Sequence, residues 1–209
     1  GEVDFRCTGG LVCPAQRVER LILFASRHAF YIRGLGLVRV EEFFRDGLLA
    51  SPADIFRLAG RRDELLARER LGEQSVDNLL DAIEERRRVP LDRFLFALGI
   101  RHVGEVTGRD LARHYRSYEA FRAGMDAARA EVDLVAAPGE TERKFEIRRE
   151  KALAAAIPVK QIGPEVATAL LDFFAEPHNV AVVDDLAAEL VIEDVVHEVR
   201  HSPVTGQTV

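Results

Sequence analysis

A short pattern recurs four times along this chain: an apolar residue, a glycine-containing hairpin, then an amphipathic helix. The first copy is Ile32-Arg33-Gly34-Leu35-Gly36, followed by a helix through Val40 and Phe43. The second lies around Arg70-Leu71-Gly72 and precedes a helix from Ser75. The third is Leu98-Gly99-Ile100-Arg101-His102-Val103-Gly104, followed by 105–115. The fourth is Lys160-Gln161-Ile162-Gly163-Pro164, followed by 165–174. Gly36, Gly72, Gly104 and Gly163 are 36, 32 and 59 residues apart, and the long last interval contains the charged stretch 129–150. Repetition at this scale restricts the chain to stacked helical units, because no single unit can bury its apolar face alone.

The rest of the chain reads as helix. Residues 18–30 carry Val18, Leu21, Ile22, Phe24 and Ala25 at helical spacing. Ser51-Pro52-Ala53-Asp54 is a helix start: a capping serine, proline at the first helical position, an acid near the positive end. Residues 75–87, 90–98, 165–174 and 180–190 repeat apolar residues with helical period, and these stripes predict core packing. Residues 129–150, with Pro138-Gly139, read as a loop or insertion leading into a helix. Residues 191–209 read as a valine-rich linker leading into the first strand of a further domain.

A glycine hairpin lets another backbone approach closely, and the helix after it begins with unpaired N–H groups at its positive end. A phosphate binds there through backbone amides, without reading base edges. A single copy is better read as a tight helix–helix turn; four copies favour phosphate binding. The candidate DNA-binding residues are Arg33, Gly34, Gly36, Arg39, Arg70, Gly72, Arg101, His102, Gly104, Arg109, Lys160 and Gly163. The net charge of −6 argues against nucleic acid until it is located. Residues 173–209 hold seven acids against Arg200, so residues 1–172 balance to zero. Five arginines between 93 and 116 face only Glu105 and Asp110, which makes the third hairpin the best single candidate.

Two cysteines among 209 residues exclude a disulfide scaffold and suit a reducing, cytoplasmic setting. No apolar run reaches membrane-spanning length, and no signal peptide is expected from the opening residues. Cys7 and Cys13, with Gly9-Gly10 between them, are either two free thiols or half of a four-ligand zinc site.

The order of CTGGLVCPAQR (7–17), four hairpins, FLFALGIRHVG (94–104), IGPEVATALLDFF (162–174) and SPVTGQTV (202–209) resembles the C-terminal half of bacterial NAD-dependent DNA ligase. The resemblance implies a mostly α fold: a tandem helix-hairpin-helix domain of four motifs, preceded by a partial zinc-finger segment. The implied boundaries are 1–17 for that segment, 18–190 for the helix-hairpin-helix domain with an insertion near 129–150, and 191–209 for a linker and the start of a BRCT domain. In the family the cysteine pair completes a four-cysteine zinc finger, so Cys7 and Cys13 would be half of it and hold zinc poorly alone. The implied partner is duplex DNA, preferentially nicked, gripped across the minor groove during replication and repair.

The family's adenylated lysine stands in a Lys-x-Asp-Gly motif. The three lysines here lie in KFEI, KALA and KQIG, and none fits. The chain is therefore expected to be no enzyme by itself and to need no cofactor, zinc and NAD belonging to the parent family. The hairpins depart from the family pattern: Arg33 stands where an acid is usual, Arg70 where a glycine is, and Lys160-Gln161 where Asp-Gly is. Such departures fit a divergent or a deliberately altered ligase. Tyr31, Leu37 and Val38 beside the first hairpin suggest a second reading, a protein-interaction scaffold on the same fold.

Overall fold

The computed structural model describes residues 14–132 and 135–195. Its elements run α1 (Pro14–Ala25), α2 (Leu37–Arg45), α3 (Pro52–Arg57), a 3-10 turn (Leu58–Arg61), α4 (Arg62–Leu66), α5 (Glu73–Glu84), β1 (Arg88–Pro90), α6 (Leu91–Ala97), α7 (Glu105–Tyr115), α8 (Tyr118–Val132), α9 (Glu142–Ala156), α10 (Pro164–Ala175), α11 (Pro177–Ala188) and β2 (Val191–Glu193). The fold is mostly α. Four helix pairs carry the four hairpins: α1–α2, α4–α5, α6–α7 and α9–α10. The start of α3 forms a reciprocal capping box, in which Asp54 accepts from the Ser51 backbone N–H at 2.8 Å.

The apolar stripes meet in one continuous core. At its first end Phe24 stacks on Phe30 at 4.0 Å between centroids, and Phe56 meets both rings edge-on. This joins α1, the entry to the first hairpin and α3. At the other end Tyr115, Phe121, Phe174 and Phe173 form an edge-to-face chain across α7, α8 and α10. Each buried ring contributes about 1.5–3 kcal/mol by leaving water, and the edge-to-face geometry suits the ring quadrupoles.

Two stretches differ from the sequence expectation. Residues 129–150 are largely helical: α8 runs to Val132 and α9 starts at Glu142, so the described loop is only 135–141. The helical stripe there was hidden because α9 segregates charge rather than hydropathy, and only Leu153 of this helix is buried. Residues Val191–Glu193, assigned by the sequence to the linker, form β2, which pairs in parallel with β1 through Arg88↔Val191, Val89↔Ile192 and Pro90↔Glu193. Residues this short carry too little pattern to announce a strand. The Cys7 and Cys13 pair and the 202–209 segment lie outside the described residues.

The two halves are tied together by arginines. Arg57 donates to Asp185 at 2.6 Å and to Glu189 at 2.7 Å. Arg87 donates to the Phe56 carbonyl at 2.6 Å and the Glu189 carbonyl at 3.0 Å. The acids of the C-terminal region thus have local duties, and several are neutralised within the fold.

Candidate nucleic-acid interface

The four hairpins share one pattern of turn and cap hydrogen bonds. In each, the residue before the glycine donates its N–H to a carbonyl three residues earlier: Leu35 to Ile32 at 3.2 Å, Leu71 to Arg68 at 3.3 Å, Val103 to Ile100 at 3.0 Å, and Ile162 to Val159 at 2.9 Å. The glycine carbonyl then accepts the first helical bond, from Val40, Val76, Gly108 and Ala167 at 2.8–3.0 Å. The residue before each glycine is buried, while Gly36, Gly72, Gly104 and Gly163 are exposed. The apolar residue anchors the turn, and the glycine caps the helix at the surface.

These glycines have nearly one conformation. Their φ values lie between −88° and −82°, with ψ at 175°, 166°, −176° and 173°. That is extended backbone, open to any residue. No heavy atom lies within 4 Å of a methyl group built on any of the four. Neither the backbone nor the packing of this chain demands glycine at these positions. None of the four helices has a side-chain cap, so their first N–H groups remain open to an outside acceptor. Serine or aspartate would cap these helices better than glycine, and both would put a side chain where an incoming phosphate needs room.

The hairpins face one another in pairs. Gly34, Gly36, Leu37 and Arg39 of the first line one groove with Arg68, Arg70 and Leu71 of the second. Arg68 forms an ion pair with Asp46, which lines the same groove. Arg101 and His102 of the third line another groove with Pro164, Glu165 and Thr168 after the fourth. His28 Nδ1 lies 3.0 Å from a Glu105 carboxylate oxygen, linking the approach to the first hairpin with the first turn of α7.

The candidate side chains differ in availability. Arg33 is held by Glu85 at 3.1 Å, and Arg39 folds back to donate to the Gly34 carbonyl at 2.6 Å. Arg70, Arg101, His102, Arg109 and Lys160 are exposed and form no hydrogen bond or ion pair among the described residues. First-turn acids also differ: α5, α7 and α10 carry Glu73, Glu105 and Glu165, whereas α2 carries none. A carboxylate at a helix N-terminus competes with a phosphate for the same N–H groups. The first hairpin therefore has the cleaner helix end, and the third has the freer arginines. Tyr31, Leu37 and Val38 are exposed beside the first hairpin, as the sequence suggests. Val106, which the sequence reading missed, is 65% exposed and equivalent to Val38, 64% exposed, each two residues past its glycine. Aligning the repeats on their glycines would have found it.

Repeated turn geometry and paired hairpin grooves define a tandem helix-hairpin-helix protein. A family model described as a helix-hairpin-helix motif matches residues 93–137, which contain the third hairpin and α8. Over its whole length the chain is similar to one portion of DNA ligases. It is 61% identical to the DNA ligase of Rhizorhabdus wittichii over 100% of the chain and 29% of that protein. It is 52% identical to that of Zymomonas mobilis over 100% of the chain and 29% of that protein. With the DNA ligase of Azorhizobium caulinodans the identity is 45%, over 98% of the chain and 28% of that protein. The chain thus spans less than a third of the length of these relatives. No described helix is long and apolar enough to cross a membrane.

Proposed function

We propose that this chain is the DNA-gripping portion of a bacterial, cytoplasmic, NAD-dependent DNA ligase, serving replication and repair. It holds a nicked duplex across the minor groove through phosphate contacts at Gly36, Gly72, Gly104 and Gly163, with Arg33, Gly34, Arg39, Arg70, Arg101, His102, Arg109 and Lys160 around them. The observation that carries this reading is the set of four exposed helix-capping glycines whose conformation and surroundings require no glycine. Backbone amides supply most of the contact, so a chain of net charge −6 binds an anion without a large basic surface.

Adenylyl transfer and sealing fall to portions of the ligase outside this chain, where NAD acts. Zinc, in the parent enzyme, is held by a four-cysteine set of which Cys7 and Cys13 form half. The test is fluorescence anisotropy with nicked and intact duplexes of one sequence across a salt series. Binding that weakens linearly on a log–log salt plot, and holds across sequences, supports the reading. Absence of binding at low salt overturns it.

A second reading, a protein-interaction scaffold, is favoured by one observation: Leu37 at 53% and Val38 at 64% exposure stand together at the start of α2. Partner capture that survives glycine substitutions abolishing DNA binding would support it.

A further inference from the structure

The helix α9 has a one-sided charge distribution that the hairpins do not use. At 3.6 residues per turn, Arg143, Lys144, Ile147, Arg148 and Lys151 fall on one face. Glu142, Glu146 and Glu150 fall on another, with the buried Leu153 and one arginine, Arg149. Glu146, Arg149, Glu150 and Leu153 line the groove shared with the third hairpin, so the face that carries Arg143, Lys144 and Lys151 turns away from that groove. Arg148 is held by Glu140 at 2.7 Å. Arg143, Lys144 and Lys151 are exposed and form no ion pair among the described residues. A solvated surface helix would gain from alternating its charges; this one gathers all its other basic residues on one face and leaves Arg149 alone among the acids. Between 141 and 163 there are six basic side chains against three acidic ones. All three lysines of the sequence lie there: Lys144, Lys151 and, in the fourth hairpin, Lys160.

From this arrangement we infer that the basic face of α9 is a second DNA-backbone contact, separate from the hairpins, which extends the footprint beyond the fourth hairpin. The inference rests on the DNA-binding reading above. Adjacency along the chain argues for a nucleic-acid strand: α9 leads directly into the hairpin that ends in Gly163, so the two contacts are neighbours in sequence. Arg143 and Lys151 lie about 12 Å apart along the axis, at 1.5 Å per residue. One strand places a phosphate every 3.4 Å or so of duplex axis, so about three phosphates come within reach. Flexible lysines meet phosphates as point charges, with no sequence preference.

The test compares the full chain with Arg143→Gln/Lys144→Gln/Lys151→Gln, by anisotropy on one nicked duplex across a salt series. The expected result is a log–log salt slope shallower by roughly 2–3 and a low-salt affinity reduced more than tenfold, since each neutralised phosphate contributes about 0.9 to the slope. The melting temperature should not change, because all three side chains are exposed. If the triple variant does not fold, the single Lys151→Gln is read instead, with an expected slope change of about 1. Unchanged slope and affinity in a folded variant overturn the α9 contact and leave the hairpin reading standing. Failure of the unaltered chain to bind overturns both.

Discussion

Arg70 and His102 hold the same left-handed backbone conformation, at φ 71° and 65°, each two residues before the glycine that caps the following helix. Gly34 holds it in the first hairpin at φ 85°. Gln161, the corresponding residue of the fourth hairpin, does not. A non-glycine residue there costs roughly 1–2 kcal/mol. Neither side chain gains a hydrogen bond or ion pair in return among the described residues. Both protrude beside their hairpins, where an external partner would meet them.

Replacing Arg70 with glycine separates folding from binding. Glycine relieves the left-handed strain but adds freedom to the unfolded chain, so the two effects offset to within about 1 kcal/mol. Urea titration should show a nearly unchanged midpoint. The DNA-binding salt slope should drop by about 1, with the loss of one basic contact. A large loss of stability would show that Arg70 is needed for folding.

Gly104→Ser should move stability and DNA binding in opposite directions. The extended conformation and open surroundings accept a side chain, and serine as a cap adds a few tenths of a kcal/mol. Anisotropy should nevertheless show affinity lower by tenfold or more, because the side chain occupies the phosphate approach. Unaltered affinity would remove the third hairpin from the interface.

Gly108, four residues further on, should behave in the opposite way. A methyl group there would sit 2.9 Å from the Asp92 carbonyl oxygen, where α7 crosses α6. Gly108→Ala should cost about 1–3 kcal/mol through overpacking, read as a lowered melting temperature. Whatever remains folded should retain the salt slope of the unaltered chain.

Acid should loosen the junction between α8 and α9. Glu140 accepts from Arg148 at 2.7 Å and from the Ala137 N–H at 2.9 Å, and these bonds hold its carboxyl down at about 2, below its ordinary 4.5. A depressed carboxyl pKa adds stability above its unfolded value, and that stability is lost as pH falls from about 4.5 towards 2. Glu140→Gln should flatten the pH dependence of the melting temperature across that window. An identical profile would show that the loop contributes nothing to acid stability.

The repeats were readable because each couples a buried anchor to an exposed glycine. Leu35-Gly36, Leu71-Gly72, Val103-Gly104 and Ile162-Gly163 show that unit in the sequence itself. The availability of the arginines was not readable, since Arg33 meets Glu85 and Arg39 meets the Gly34 carbonyl only after folding. The pairing of β1 with β2 joins residues about a hundred positions apart, and a three-residue strand has too few side chains to show a period. In α9 the periodicity lies, Arg149 apart, in the sign of the charge, which a hydropathy scale treats as uniform.

The β1–β2 pair closes the chain from Arg88 to Glu193 into a ring that contains the third and fourth hairpins. Arg57, outside that ring, grips Asp185 and Glu189 inside it. The spacing between the two hairpin pairs is therefore set by the fold itself. Under the proposed DNA-binding reading, a strand that docks on one pair would find the other already in place, and little ordering entropy would remain to oppose binding. Preorganisation of this kind would favour shape-matched capture, with the fixed distance between the hairpin pairs acting as a gauge for the duplex.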